Sequence, residues 1–267
     1  MNKIRLDVYL YENGYVSSRE KAKALIMAGN VYINNQKAYK PGDIIVGEPK
    51  ILIKETLPFV SRGGLKLQKA IKAFNIDLKD KVCVDIGAST GGFTDCMLQN
   101  GAKKVYAVDV GYGQLDWKLR SDERVITLER TNARYLSSNE IPQNEPDFLS
   151  ADVAFISLNT ALSTVVNLLS EGARLMVLIK PQFEAGREYV GKKGVVKDIN
   201  VHKEVIIRVC SQMTAKGLAI LDLDFSPIKG PEGNIEYLLY MTKESGFENI
   251  DFEALADTVT KASHNEL

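Results

Sequence analysis

An α/β fold built on a parallel-rich sheet, with a small α+β unit ahead of it, is what this sequence predicts, and three observations predict it. From Val82 onward, short apolar runs alternate with helical segments, the pattern of a sheet covered by helices on both faces. A glycine-rich turn follows the first of these runs and opens a helix. Residues 1–57 instead carry two short helical patterns and a hairpin. Through residue 60 there are nine Lys and Arg against six Asp and Glu, whereas the remainder holds 25 against 28. A basic module on a slightly acidic body suits a polyanion-binding appendage.

The totals exclude several classes. With 45% hydrophobic and 25% charged residues over 267 positions, the chain is globular and long enough for one ordinary domain plus a small one. Cys83, Cys96 and Cys210 are odd in number and lack C-x-x-C spacing, so neither a disulfide framework nor a metal site is expected. No secretory pattern follows Met1, and the longest apolar run, Leu175 to Ile179, is strand-sized. A cytoplasmic protein without a membrane partner is the expectation.

In chain order, the first unit reads α-α-β-β. A helix spans about Arg5 to Asn13. A second begins at Ser17, whose spacing to Glu20 suits a capping box, and ends before Gly29 at the C′ position. Val31-Tyr32-Ile33 is a strand, Asn34-Asn35 a turn that tolerates positive φ, and Ile51-Leu52-Ile53 a further strand. Residues 58–64 read as a linker, with Gly63-Gly64 giving backbone freedom. The main domain runs over 65–243, starting with a helix to about Phe74. Strands are expected at Val82–Ile86, Val105–Val110, Val125–Leu128, Phe148–Val153, Leu175–Lys180, Ala219–Phe225 and Ile235–Met241. Helices are expected at Gly92–Gln99, Asn159–Leu169 and Val201–Lys216. The last two strands have only a Pro/Gly loop between them and are expected to pair antiparallel. Residues 244–267 read as a tail with one helical stretch, Phe252 to Ala262.

The turn Asp85-Ile86-Gly87-Ala88-Ser89-Thr90-Gly91-Gly92-Phe93-Thr94 places backbone N–H groups at a helix N-terminus. Ser89 stands where G-x-G-x-x-G has its second glycine, which argues against a dinucleotide site. Asp85 suits a ligand with an ammonium group. Asp109, 24 positions further on, sits where nucleoside-binding folds hold a ribose, with Val110 beside it. Asn132, after the third strand, could accept from an adenine amino group. These residues resemble the Rossmann-like methyltransferase superfamily. The resemblance implies a seven-stranded sheet with one antiparallel strand and S-adenosylmethionine as cofactor, held by Asp85, Gly87, Ala88, Ser89, Gly91, Gly92, Phe93, Thr94, Asp109, Val110, Asn132 and Asp152.

Four ionisable residues fall at ends that should converge: Lys66 in the helix before the first strand, Asp152 after the fourth, Lys180 ending the fifth and Glu236 in the last. Ligands of open α/β sheets bind beyond the carboxyl ends of the parallel strands, and an antiparallel last strand would bring its start to that edge. A lysine ending the run Leu175 to Ile179 is costly unless it is paired or faces a cleft. Lys192, Lys193 and Lys197, between glycines, read as a mobile basic loop able to touch an RNA backbone.

The quartet resembles the Lys-Asp-Lys-Glu set of FtsJ-like ribose 2′-O-methyltransferases. The N-terminal unit resembles the RNA-binding module of ribosomal small-subunit protein four, on Ser18-Arg19-Glu20-Lys21-Ala22 and on Ala28 to Asn34. Together, with Val60 to Leu67, Ser150 to Leu158, Lys180 to Glu184 and Lys193 to Asp198, the chain resembles the TlyA family of hemolysins and rRNA cytidine 2′-O-methyltransferases. The resemblance implies RNA contacts from Arg5, Arg19, Lys21, Lys23, Lys37, Lys40, Arg62, Lys192 and Lys193, and ribosomal RNA or a ribosomal subunit as partner. Three other readings stand beside it: a membrane-active hemolysin, which needs a spanning or inserting helix, a non-catalytic ribosome assembly factor, and a methyltransferase for a small molecule or protein, which would leave the basic module unexplained. His202 and His264 fit no Ser/His/Asp or metal-ligand pattern, so hydrolase chemistry has no support.

Overall fold

The computed structural model describes residues 3–27, 29–54, 58–248 and 250–267, and chain contacts divide it into two units, 1–58 and 59–267. The expected boundary after residue 57, and Ala28 in the basic module, lie outside the described residues.

In the first unit, strand β1 (Lys3–Arg5) runs into helix α1 (Leu6–Glu12), followed by α2 (Arg19–Met27), β2 (Val31–Ile33), β3 (Gln36–Lys37), β4 (Ile44–Val46) and β5 (Ile51–Ile53). β1 pairs with β4, and β2 lies between β3 and β5. The α-α-β-β expectation therefore misses strands of two or three residues, too short to show a period of two. The second helix is capped by Ser18, whose Oγ accepts from the Lys21 N–H at 3.2 Å, and not by the expected Ser17–Glu20 box. Asn34 and Asn35 do take positive φ, 49° and 67°, the geometry of a type I′ hairpin between β2 and β3. Leu6, Leu10, Ala22, Ile26 and Val31 are fully buried and form the core of this unit.

The second unit comprises α3 (Gly63–Ala73), β6 (Val82–Ile86), α4 (Gly92–Gln99), β7 (Lys104–Val108), α5 (Trp117–Arg120), β8 (Val125–Leu128), β9 (Phe148–Ala151), α6 (Leu158–Ala161), β10 (Ala173–Ile179), α7 (Pro181–Glu184), α8 (Ile199–Thr214), β11 (Ala219–Phe225), β12 (Tyr237–Lys243) and α9 (Phe252–Glu266). Its seven strands lie in the order β11-β12-β10-β9-β6-β7-β8, with β12 antiparallel to both neighbours. Period-two alternation divides the sheet into two faces. Val82, Val84, Ile86, Leu175, Val177 and Ile179 pack with α6, α8 and α9, while Cys83, Met176 and Leu178 pack with α3 and α4.

Several expected bounds shift. β7, β9 and β10 end at Val108, Ala151 and Ile179, before the expected Val110, Val153 and Lys180, because the residues beyond leave the sheet to line a cleft. The helix expected at Asn159–Leu169 is broken into α6 and a 3-10 turn, Val165–Leu168. Residues 59–64 are not a free linker. Phe59 is buried, the Val60 N–H donates to Asp95 at 2.9 Å, and a Cβ on Gly92 would lie 2.9 Å from the Gly64 nitrogen. The paired glycines serve close backbone approach there rather than freedom. Nor is the C-terminal segment a tail: α9 buries Ala256 and Val259 in the main core.

Candidate active site

The chain runs β6, β7, β8 to one side and then returns to place β9 and β10 on the other, so the order in which strands are added reverses between the parallel neighbours β6 and β9. Ligand clefts of open α/β sheets form at this switch point. Here the cleft has a volume of about 1020 Å³ and is bounded by the β6–α4 turn, the ends of β7 and β9, Lys180 and the segment Ile228–Gly230.

The turn takes positive φ at Gly87 (81°), Ser89 (50°) and Gly91 (95°). Its glycines are required by protein neighbours. A Cβ on Gly87 would lie 2.5 Å from the Asp152 carbonyl oxygen, and one on Gly91 would lie 2.2 Å from Leu119. Gly87, Ala88, Ser89, Gly92 and Phe93 line the cleft. Asp85 and Thr94 lie beneath the turn and are fully buried. The Thr94 hydroxyl donates to one Asp85 carboxylate oxygen at 2.7 Å and the Ser150 hydroxyl to the other at 2.9 Å. Burial pushes the Asp85 carboxyl up to about 6. Asp85 therefore braces the turn against β9 and is not placed to meet a ligand ammonium, because β6 turns it toward α4. Gly91 and Thr94 are likewise outside the cleft wall.

Asp109 faces the cleft. Its two oxygens accept from the N–H groups of Ser89 (2.8 Å) and Gly111 (2.7 Å), which fixes the carboxylate while leaving a lone pair on each oxygen for a diol. Val110 is exposed beside it. Asn132 also lines the cleft, but its Oδ1 caps the following 3-10 turn by accepting from the Arg134 N–H at 3.1 Å. That leaves one Oδ1 lone pair and the amide NH₂ for a ligand.

The ionisable quartet converges. The β10–β12 register pairs Ile179 with Tyr237, so the residues next to that pair, Lys180 and Glu236, come to one edge. Lys66 Nζ is 2.5 Å from Glu236 and 3.5 Å from Asp152, and the other Asp152 oxygen is ion-paired with Lys180. Lys66, Lys180 and Glu236 are each less than a tenth exposed. Burial would lower the Lys66 ammonium, but Asp152 and Glu236 outweigh it and hold the group above the ordinary lysine range. Lys66 is thus a fixed cation spent on two carboxylates. Asp152 and Lys180 open on the cleft, and Glu236 lies behind Lys66 against Gly230.

Among the basic residues, Arg62 lines the cleft, while Lys21, Lys23, Lys37 and Lys40 are exposed on the first unit. Arg5 and Arg19 are both committed to the buried Asp7, at 3.0 and 3.2 Å. Lys192 and Lys193 are exposed but outside the cleft wall. The sequence reading missed Arg134, Lys229 and above all Phe155 at the cleft. Phe155 is 91% exposed at φ 63°, with its ring 4.9 Å from that of Phe183. A phenylalanine after an apolar strand reads as core, yet this one takes a positive φ and lies exposed.

The chain matches the description "FtsJ-like methyltransferase" over residues 59–243 and "S4 domain" over residues 4–48. YqxC of Bacillus subtilis (strain 168) is 54% identical over 240 residues, which cover 90% of this chain and 85% of that protein. The 16S/23S rRNA (cytidine-2′-O)-methyltransferase TlyA of Mycobacterium tuberculosis is 40% identical over 97% of this chain and 96% of its own length. A solved Streptococcus thermophilus structure, described as a hemolysin candidate, superposes with a TM-score of 0.77 at 45% identity, covering 100% of this chain and 97% of that one. With residues 59–243 matched and a converged Lys-Asp-Lys-Glu cluster at the cleft between β6 and β9, the chain belongs to the FtsJ-like methyltransferase family.

Proposed function

We propose that this protein methylates the ribose 2′-oxygen of a cytidine in ribosomal RNA, with S-adenosylmethionine as donor, in the cytoplasm and on a ribosomal subunit. The observation that carries this reading is the ion-paired chain Glu236–Lys66–Asp152–Lys180, which opens onto the same cleft as Asp109. The residues present fit the cofactor: Asp109 retains acceptors for a ribose diol, Val110 and Ala133 offer apolar contact, and Asn132 offers amide donors. Bound there, S-adenosylmethionine supplies a methyl group made electrophilic by its sulfonium.

The remaining work falls to side chains of the chain itself. Lys180, held by Asp152, is the cation placed to meet the 2′-oxygen and to offset the charge that grows on it as its proton passes to solvent. Asp152 is fixed in turn by Lys66, and Lys66 by Glu236, so the amine is aimed by a rigid series of pairs, and alignment accounts for much of the rate. Phe155 offers a face for the base of the target nucleotide, while Arg62, Arg134 and Lys229 surround the cleft as exposed cations for its phosphates. The first unit binds RNA through Lys21, Lys23, Lys37 and Lys40.

Incubation with labelled cofactor and purified ribosomal subunits, followed by mass spectrometry of the RNA, tests the proposal. A labelled cytidine ribose is expected. Lys180→Ala should lower the rate by at least about a thousandfold with cofactor affinity unchanged within about threefold. Transfer that survives in Lys180→Ala removes that role from the residue. Label on a base, a protein or no subunit component overturns the reaction assigned. Among the described residues no helix is long and apolar enough to cross a membrane.

A further inference from the structure

His202 is a buried imidazole that the proposed chemistry leaves unused, and it stands where α8, β12 and α9 meet. It lies in the first turn of α8 and is 1% exposed. Its Nε2 is 3.0 Å from the carbonyl oxygen of Val196, which can only accept, so that nitrogen carries the proton. Nδ1 is therefore the acceptor, and the Tyr237 hydroxyl donates to it at 2.7 Å. Tyr237 opens β12 directly after Glu236. From α9, Ser263 Oγ lies 3.1 Å from the Tyr237 hydroxyl, and His264 Nε2 lies 3.2 Å from His202 Nδ1. Burial lowers the imidazole to about 4, so the neutral form that this pattern needs is the one present near neutral pH.

The carbonyl that His202 holds belongs to the basic turn Gly191–Lys197. Asn234 grips the same turn twice. Its Oδ1 accepts from the Val196 N–H at 3.2 Å, and its Nδ2 donates to the Gly194 carbonyl at 2.9 Å. The Asn234 carbonyl in turn accepts from the N–H of Gly230, which lines the cleft and lies against the Glu236 carboxylate. The turn that glycine content suggested to be mobile is therefore anchored. It presents Lys192, Lys193 and Lys197 to solvent, and none of the three has a carboxylate partner among the described residues. One polar clamp joins this lysine-bearing turn, the cleft rim and the start of β12, next to Glu236.

We propose that His202 is a positioning residue: through the Val196 carbonyl and the Tyr237 hydroxyl it locks the basic turn to the start of β12, next to Glu236, so that Lys192 and Lys193 hold the RNA backbone at a fixed distance from the reacting ribose. The RNA half of this inference rests on the function proposed above; the clamp does not. An imidazole serving only to fill space would be replaced by a leucine without consequence for RNA. A clamp needs a donor and an acceptor at opposite ends, which glutamine retains and leucine lacks.

The experiment uses the full chain with His202→Leu, His202→Gln and the pair Lys192→Ala/Lys193→Ala. Hydrogen exchange over residues 191–197 reads the clamp. KM for ribosomal RNA, kcat and cofactor affinity read its consequence. In His202→Leu, exchange over 191–197 should quicken and KM for RNA should rise about tenfold, with kcat and cofactor affinity within about twofold of the parent. His202→Gln should recover most of both. In the Lys192→Ala/Lys193→Ala background, His202→Leu should add nothing to KM, because the groups it positions are gone. Unchanged exchange in His202→Leu overturns the clamp, and a KM effect that persists undiminished without the lysines overturns its link to RNA. If His202→Leu does not fold, Tyr237→Phe removes only the hydroxyl and should shift the same readouts in the same direction. A parent protein that methylates no RNA defeats the function proposed above, and the exchange data still decide the clamp.

Discussion

Two buried ionisable groups pull against each other as pH changes, and neither is one of the residues assigned to chemistry. Asp85, moved from an ordinary 3.8 up to about 6 by burial, keeps a proton in the folded protein that the unfolded chain has lost. It contributes stability at low pH that disappears as pH rises through about 6. His202, moved from 6.5 down to about 4, refuses a proton that the unfolded chain accepts, so its contribution is lost as pH falls from about 6.5 toward 4. Each effect amounts to about 3 kcal/mol at full extent, and over pH 4–6 they oppose. Relative to the parent, Asp85→Asn should lose stability more steeply toward pH 4, and His202→Leu less steeply. Calorimetric melting between pH 4 and 7 measures both, and parallel profiles for parent and variants would show that the shifts are absent. Asp85 was visible in the sequence as an acid ending a strand. Its task was not, because period-two alternation says that it opposes Ile86 across the sheet without saying what covers that face.

At the scale of the element, the β6–α4 turn is dictated by what surrounds it. Gly87 combines a φ of 81° with the Asp152 carbonyl oxygen where a Cβ would be. Gly87→Ala should therefore push the turn away from β9, cost about 2–4 kcal/mol and weaken cofactor binding. Gly113 has a similar φ, 70°, but open space around it, so Gly113→Ala should cost only about 1 kcal/mol of backbone strain. Urea denaturation, with calorimetric titration of the cofactor, separates the two, and equal costs would show that the close approach to Asp152 is unimportant. The glycine motif was legible because turn, strand and helix are contiguous in the chain. The broken α6 region and the strands of two or three residues were not, since short elements are set by their partners rather than by their own periodicity. Residues 59–64 were misjudged for a related reason: a glycine pair looks the same whether it frees a chain or lets two backbones touch.

For the whole molecule, the proposed function gives the two units separate tasks. If the exposed lysines of residues 1–58 carry RNA phosphates, Lys21→Ala/Lys23→Ala/Lys37→Ala/Lys40→Ala should reduce the salt dependence of RNA binding by about three to four in log–log slope. Cofactor affinity should be untouched. Filter binding across a salt series measures this, and an unchanged slope would assign the phosphates to the second unit. Arg5 and Arg19 are left out of the set because Asp7 already neutralises part of their charge.

The alternation of apolar strands and helices, the turn from Asp85 to Thr94 and the later Asp109 were enough to determine the α/β architecture and to mark one wall of its cleft, because consecutive β-α units carry these features at fixed short spacings. Tertiary structure alone decided which charges are already paired. Lys66 meets Glu236 across 170 residues only because β12 inserts antiparallel beside β10, and the same insertion brings Tyr237 to His202. Strand order and burial are properties of the assembled sheet, and a linear pattern with a period of two or 3.6 residues cannot express them.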